Sequence, residues 1–165
     1  MKVGLFYYSK SGNTKKLALM IEEKIKTNKV DIEMREIEPI KHPGFFKGGY
    51  NAYREKMLPI SNTDLDLKEY DMLIVGTPVW AGKPAPFIQT FLNQATNIKG
   101  KKISFFFTSG GPPEKAGLMS EIFHKWSKQQ DLHMMKKILS IQMKKGEMVS
   151  GSKKINGFIM DMFTK

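Results

Sequence analysis

The residues best suited to chemistry cluster near the start of the chain. The stretch SKSGNT, residues 9–14, carries the hydroxyls of Ser9, Ser11 and Thr14, the Asn13 amide, Lys10 and Gly12, with no carboxylate and no histidine. A glycine-bearing turn that opens a helix points several backbone N–H groups one way, and the helix N-terminus adds partial positive charge. The three hydroxyls can donate further hydrogen bonds to the same anion, and Gly12 allows close backbone approach. Such a loop is a phosphate cradle built from dipoles. Lys10 could assist, although its place in the turn can also aim it at solvent. A plain helix cap by Asn13 or Thr14, with the serines as turn residues, is the other reading. The loop lacks the Gly-Lys-Ser/Thr ending of a Walker A and is not a GxGxxG turn, which argues against triphosphate and dinucleotide ligands.

Two later stretches have the same standing. TPVWAGKPAPF, residues 77–87, and TSGGPPE, residues 108–114, each follow a short apolar run. The elements that must position all three loops alternate in type. KVGLFYYS and MLIVGTP read as buried strands, VDIEMREI as a strand with one wetter face through Val30, Ile32 and Met34, KISFFFTSGG as a strand ending in glycines, and KKILSIQM as a last strand. Between them, Leu17, Met20, Ile21 and Ile25 recur at helical spacing. So do Phe87, Ile88, Phe91, Leu92 and Ala95; Leu118, Met119, Ile122, Phe123 and Trp126; and Ile155, Phe158, Ile159 and Met162. Strands alternating with helices predict an α/β fold, a parallel sheet with helices on both faces. All three loops then lie at the carboxyl ends of parallel strands, where the ligand crevice of an open sheet is found. Residues 41–63 carry Pro43, Gly44, Gly48, Gly49 and Pro59 and read mostly as loop; their aromatics Phe45, Phe46, Tyr50 and Tyr53 either lie over the crevice or fill a satellite core.

Bulk composition narrows the function. A chain of 165 residues predicts a single domain spanning 1–165, and 41% hydrophobic content suffices for a core. With no cysteine, thiolate nucleophiles, disulfides and Cys-based metal sites are excluded. His42, His124 and His133 match no metal spacing. No apolar run resembles a signal peptide or a membrane span, so a soluble, cytoplasmic protein is expected. The formal charge of +11 favours acidic partners. Its lysine pairs are spread along the chain without a nucleic-acid motif, which favours a solvated surface over a nucleic-acid partner.

Taken together, YYSKSGNTKKLA, YDMLIVGTPVWAGKPAPFIQTFL and KISFFFTSGG resemble the flavodoxin family, in particular its short-chain members. The resemblance implies an open five-stranded parallel sheet in the order 2-1-3-4-5 described for flavodoxins, with non-covalent FMN at the switch point. It implies phosphate contacts from Ser9, Lys10, Ser11, Gly12, Asn13 and Thr14. It implies ring and ribityl contacts from Pro78, Val79, Trp80, Ala81 and Gly82 and from Ser109, Gly110 and Gly111. Trp80 is then an aromatic wall for the flavin and Trp126 a core residue.

The function implied is electron transfer through the flavin to a redox partner protein, an acidic one given the charge, with no catalytic side chain and no metal required. An FMN-dependent NAD(P)H or quinone reductase is the alternative within this class, and a non-redox binding module of the same fold the alternative outside it. A receiver domain is disfavoured because the third strand ends in VGTP, without a phosphoacceptor Asp. Flavodoxins that carry electrons are typically acidic, and this chain departs from them in charge and in residues 41–63. Lys83, in the flavin-side loop, is the cation expected to carry some of the positive field to the ring.

Overall fold

The computed structural model describes residues 1–112, 116–150 and 152–163. The chain order is β1 (Lys2–Tyr7), α1 (Asn13–Thr27), β2 (Asp31–Glu36), α2 (Phe45–Tyr53), β3 (Met72–Trp80), β4 (Lys83–Pro84), α3 (Pro86–Gln94), β5 (Lys102–Ser109), α4 (Ala116–Gln129), β6 (His133–Met134), β7 (Leu139–Lys144), β8 (Glu147–Ser150) and α5 (Ser152–Phe163).

The parallel strands run β2-β1-β3-β5-β7, which is the expected order, but the strand count is larger. The fifth strand is interrupted. β6 pairs with the start of β5 and β7 with its end. β8 then folds back antiparallel on β7 through the two-residue turn Lys145–Gly146, both in the left-handed region at φ 48° and 79°. That is the primed turn whose twist suits a hairpin.

Each central strand alternates between two cores because both faces of the sheet are covered. Phe6, Leu73, Val75, Phe105 and Phe107 pack with Phe87, Phe91, Phe123 and Trp126 of α3 and α4. Val3, Leu5, Ile74 and Phe106 pack with Leu17, Ile21 and Ile25 of α1 and Ile155 and Phe158 of α5. Burial of each large apolar side chain contributes roughly 1.5–3 kcal/mol before chain entropy is set against it. Gly76, opposite Phe106 in the register, is required by this packing: a Cβ there would stand 2.0 Å from Phe106 Cζ. Trp126 is buried in this core, as its helical stripe predicts.

The stretch 41–63 is not mostly loop. Residues 45–53 form α2 despite two internal glycines, which disfavour helix by about 1 kcal/mol each. The gain is tertiary. A Cβ on Gly48 would come within 3.0 Å of Trp80 Cζ3, so glycine is what lets this helix lie against the indole.

Candidate functional site

β1 sits between β2 and β3, so the chain leaves β1 on one side and returns to β3 on the other. A crevice opens where the connections diverge. Here it is a cleft of about 880 Å³, lined from all three loops and from α2 by Lys10, Ser11, Asn13, Phe46, Gly48, Gly49, Tyr50, Pro78, Val79, Trp80, Ala81, Thr108, Ser109 and Gly110. Of the residues singled out from the sequence, the structure brings nine to this surface. Ser9, Gly12, Thr14, Gly82 and Gly111 stand in the same loops without lining it.

At one end is the start of α1. Gly12 occupies its N-cap at φ 83° and offers the helix no side-chain cap. The simple cap by Asn13 or Thr14 is therefore not what forms; both lie inside the helix. Ser9 Oγ accepts the Lys15 N–H at 3.2 Å, which leaves its own proton to donate. The side chains of Ser11 and Asn13 line the cleft without a hydrogen-bond partner among the described residues. A helix terminus whose N-cap residue has no side chain, flanked by the unengaged hydroxyl of Ser11 and amide of Asn13, fits a phosphate. Lys10 is exposed but tethered: its Nζ donates to the Pro43 carbonyl at 3.1 Å and lies 5.3 Å over the Trp80 ring.

The wall is a hairpin. Val79 pairs with Pro84 and Trp80 with Lys83, so Ala81 and Gly82 form the turn, at φ 47° and 79°. Thr77 closes its base, its Oγ1 accepting the Ala85 N–H at 2.9 Å and donating to the Pro78 carbonyl at 3.0 Å. Trp80 meets Tyr8 edge-to-face at 5.6 Å and Phe87 at 6.2 Å. Burial, with the Glu36 carboxylate adding to it, pushes the Tyr8 phenol up to about 12. Tyr8 therefore keeps its proton at neutral pH, with its oxygen 3.4 Å from His42 Nδ1.

Facing the hairpin, α2 supplies Phe46 and Tyr50, so these two aromatics do lie at the cleft. Tyr53 is exposed instead, under Lys83 Nζ at 5.5 Å, and the Phe45 side chain lies outside the described residues. At the floor, Ser109 Oγ donates to the Gly111 carbonyl at 2.8 Å, while Gln142 Nε2 donates to the Gly110 carbonyl at 3.3 Å. Pro113 and Glu114 of this loop lie outside the described residues.

The expected cation is displaced. Lys83 does not line the cleft; its Nζ is paired with Glu55 Oε1 at 2.8 Å and donates to the Tyr53 carbonyl at 3.0 Å. Lys125 holds the other oxygen of Glu55 at 3.0 Å. Hydrogen bonds from Lys83 and then Lys125 keep the Glu55 carboxyl below its ordinary range. The cation at the cleft surface is Lys10. Sequence reasoning also missed Gly48, Gly49 and Thr108. A glycine pair inside an aromatic-bearing stretch was the available sign of close approach for the first two; Thr108 opens the 108–114 stretch that was singled out, but only Ser109, Gly110 and Gly111 of it were expected to make contacts.

Among the described residues no three or more side chains are grouped to hold a metal, and no helix is long and apolar enough to cross a membrane.

The aromatic wall and the donor-rich end together fit a flat, largely apolar ligand with an anionic tail, as FMN is. Known proteins agree. The crystal structure of a flavoprotein in complex with FMN from Lactobacillus acidophilus NCFM superposes with a TM-score of 0.66 at 26% identity, covering 96% of this chain and 98% of that one. A flavodoxin from the domain Archaea has the same fold, with a TM-score of 0.63 at 21% identity over 95% of this chain and 90% of that one. An NAD(P)H dehydrogenase (quinone) of Rhodopseudomonas palustris (strain HaA2) is 28% identical over 113 residues, 66% of this chain and only 56% of that relative's length. The sequence model of NADPH-dependent FMN reductases matches residues 1–144. The chain belongs to the NADPH-dependent FMN reductase family, a flavodoxin-like family of FMN proteins.

Proposed function

We propose that this protein is an FMN-dependent oxidoreductase that draws electrons from NAD(P)H and delivers them to a quinone or another small acceptor. The chain is a flavodoxin-like redox protein that binds FMN. The reductase reading is supported by the family, by the likeness to a quinone-reducing relative, and above all by one observation. The cleft, about 880 Å³, is wide and carries three aromatic residues on its lining, Trp80 on the hairpin and Phe46 and Tyr50 on the α2 helix that lies against it. A wide cleft of this kind suits a second planar molecule laid beside the flavin.

The bound flavin supplies reversible uptake and release of electrons. The chain supplies everything else. The α1 terminus, with Ser9, Ser11 and Asn13, holds the phosphate. The hairpin presents Trp80 to the ring. Phe46 and Tyr50, on the cleft surface beside the hairpin, would limit water there. The backbone of Ala81, Gly82, Gly110 and Gly111 is available to the polar edge of the ring, because glycine there and the tight turn at 81–82 leave the main chain accessible.

A one-electron carrier is the second reading, and the charge favours it in one respect. Lys10 lines the cleft, while Lys15, Lys16, Lys144 and Lys145 are exposed on α1 and the β7–β8 hairpin. An acidic redox partner docking there would exchange electrons at a rate that falls with rising salt. The cytoplasmic setting expected from the sequence belongs to both readings.

The deciding experiment is anaerobic. The FMN-loaded protein is mixed with NADPH or NADH, its visible absorption is followed, and turnover with a soluble quinone is then measured. Bleaching by a nicotinamide followed by quinone turnover is the expected result. A protein left oxidised by both nicotinamides, yet reduced readily by a partner protein, would overturn the reductase reading in favour of the carrier.

A further inference from the structure

The cleft is electrostatically one-sided. Among the described residues that line it, Lys10 is the one charged side chain, and no carboxylate or histidine accompanies it. By its main chain Lys10 belongs to the 9–14 turn, but its ammonium reaches away from that turn. Nζ donates to the carbonyl of Pro43, two residues before α2, at 3.1 Å, and stands 5.3 Å over the Trp80 ring. The charge therefore sits at the seam between the start of α2 and the hairpin, beside the aromatic part of the cleft. An ammonium has three N–H donors, and among the described residues only one of them has a hydrogen-bond acceptor.

The surroundings have the same sign. Phe46 and Tyr50, one helical turn apart on α2, both line the cleft, and Lys56 Nζ stands 5.4 Å over the Tyr50 ring. Glu55, the carboxylate that follows α2, is held by Lys83 and Lys125 and does not line the cleft. The phosphate of a bound FMN is met by the donors of the α1 terminus. That leaves the Lys10 ammonium with no anion on the cleft surface to balance it. A cation so placed favours a ligand that brings the counter-charge and disfavours one that is itself cationic.

We propose that the cleft selects planar aromatic acceptors that carry an anionic group, such as a carboxylate, a sulfonate or an ionised ring hydroxyl, and that Lys10 is the specificity-determining residue. The inference rests on the reductase reading above and names the acceptor class for it. The acceptor's ring packs among the aromatic residues of the cleft, and its anion meets the unengaged N–H groups of Lys10. The main chain of Lys10 stays available to the cofactor's phosphate, so the two parts do not compete.

The test is a binding measurement on the oxidised, FMN-loaded protein, in which no electron transfer is needed. Naphthoate and its neutral isostere naphthamide, substituted at the same ring position, are each titrated while the flavin absorption is followed. Naphthoate should bind about threefold or more tightly than the amide, as expected for a partly exposed charge pair. Lys10→Gln should bring the two within about twofold of each other, and Lys10→Arg should keep the preference. Lys99→Gln removes the same charge from an exposed position before β5, at the other edge of the sheet, and should keep it too. The affinities of Lys10→Gln for FMN and riboflavin are measured alongside and should change alike. Equal or absent binding of the two probes, or a preference that survives Lys10→Gln, would overturn the assignment. A preference that Lys99→Gln also abolishes would overturn it in favour of the overall charge of +11. A loss in Lys10→Gln confined to FMN would overturn it by giving the ammonium to the phosphate. Failure of the unsubstituted protein to bind FMN would instead remove the cofactor reading. Selective naphthoate binding without any quinone turnover would remove the reductase reading, and the acceptor assignment with it.

Discussion

Replacing Trp80 separates a ligand wall from a packing residue. The indole has two edge-to-face contacts, with Tyr8 at 5.6 Å and Phe87 at 6.2 Å, and Lys10 Nζ lies 5.3 Å from its centroid. Aromatic pairs contribute about 0.5–1.5 kcal/mol each and an exposed cation–π contact about 0.5–1 kcal/mol. Trp80→Ala should therefore destabilise the apo-protein by roughly 1.5–4 kcal/mol, nearer the lower figure because Trp80 is only partly buried. If the ring also stacks on the flavin, a further loss of about 0.5–1.5 kcal/mol falls on the complex, or roughly 2- to 13-fold in FMN Kd. Trp80→Phe should recover most of both. The measurements are chemical denaturation of the apo-protein and FMN titration followed by flavin fluorescence. A Trp126→Phe background makes Trp80 the sole tryptophan reporter, since the chain has two. That change removes a buried indole N–H with no partner among the described residues, so it should alter stability by less than about 1.5 kcal/mol. A large drop in apo stability with unchanged FMN affinity would refute the placement of Trp80 against the flavin.

Other substitutions probe the remaining parts of the site. Ser11→Asp puts a carboxylate beside the phosphate end and should weaken FMN at least about tenfold more than riboflavin in paired titrations; equal losses would mean that this loop does not touch phosphate. Gly76→Ala drives a Cβ into Phe106 and should lower stability by about 1–3 kcal/mol or more in urea denaturation, with partial rescue by Phe106→Leu. Glu55→Gln should free α2 from the hairpin and α4, lowering the unfolding temperature at pH 7. Because Lys83 and Lys125 depress the Glu55 pKa from its ordinary 4.5, its contribution is fully present above that value and is lost as pH falls through the lower folded-state value. The difference between the two proteins should therefore shrink in unfolding scans taken at progressively lower pH below 4.5. A constant difference would show that the ion pairs are not its cause.

Much of this protein was determined locally. Alternation along Val3–Tyr7 and Met72–Val75 and the helical stripes of α1 and α5 specify an α/β sandwich, because each side chain's face follows from the period of its own segment. The 9–14 loop was legible for the same reason. A glycine before a helix dictates its turn, and the donors that flank it are adjacent in sequence. What tertiary structure alone decided involves partners far apart in the chain. Residues 45–53 form a helix that lies against Trp80 at Gly48, a tertiary contact that sequence propensity does not register. Lys83 sits in the flavin-side loop by sequence, yet Glu55 draws it to the outer side of the hairpin, leaving Lys10 as the cation at the cleft. The Thr14 and Thr108 hydroxyls hydrogen-bond across 94 positions because β5 ends where α1 begins. Periodicity is a property of one segment, whereas ion pairing, close approach and a shared proton depend on which segments the sheet order brings together.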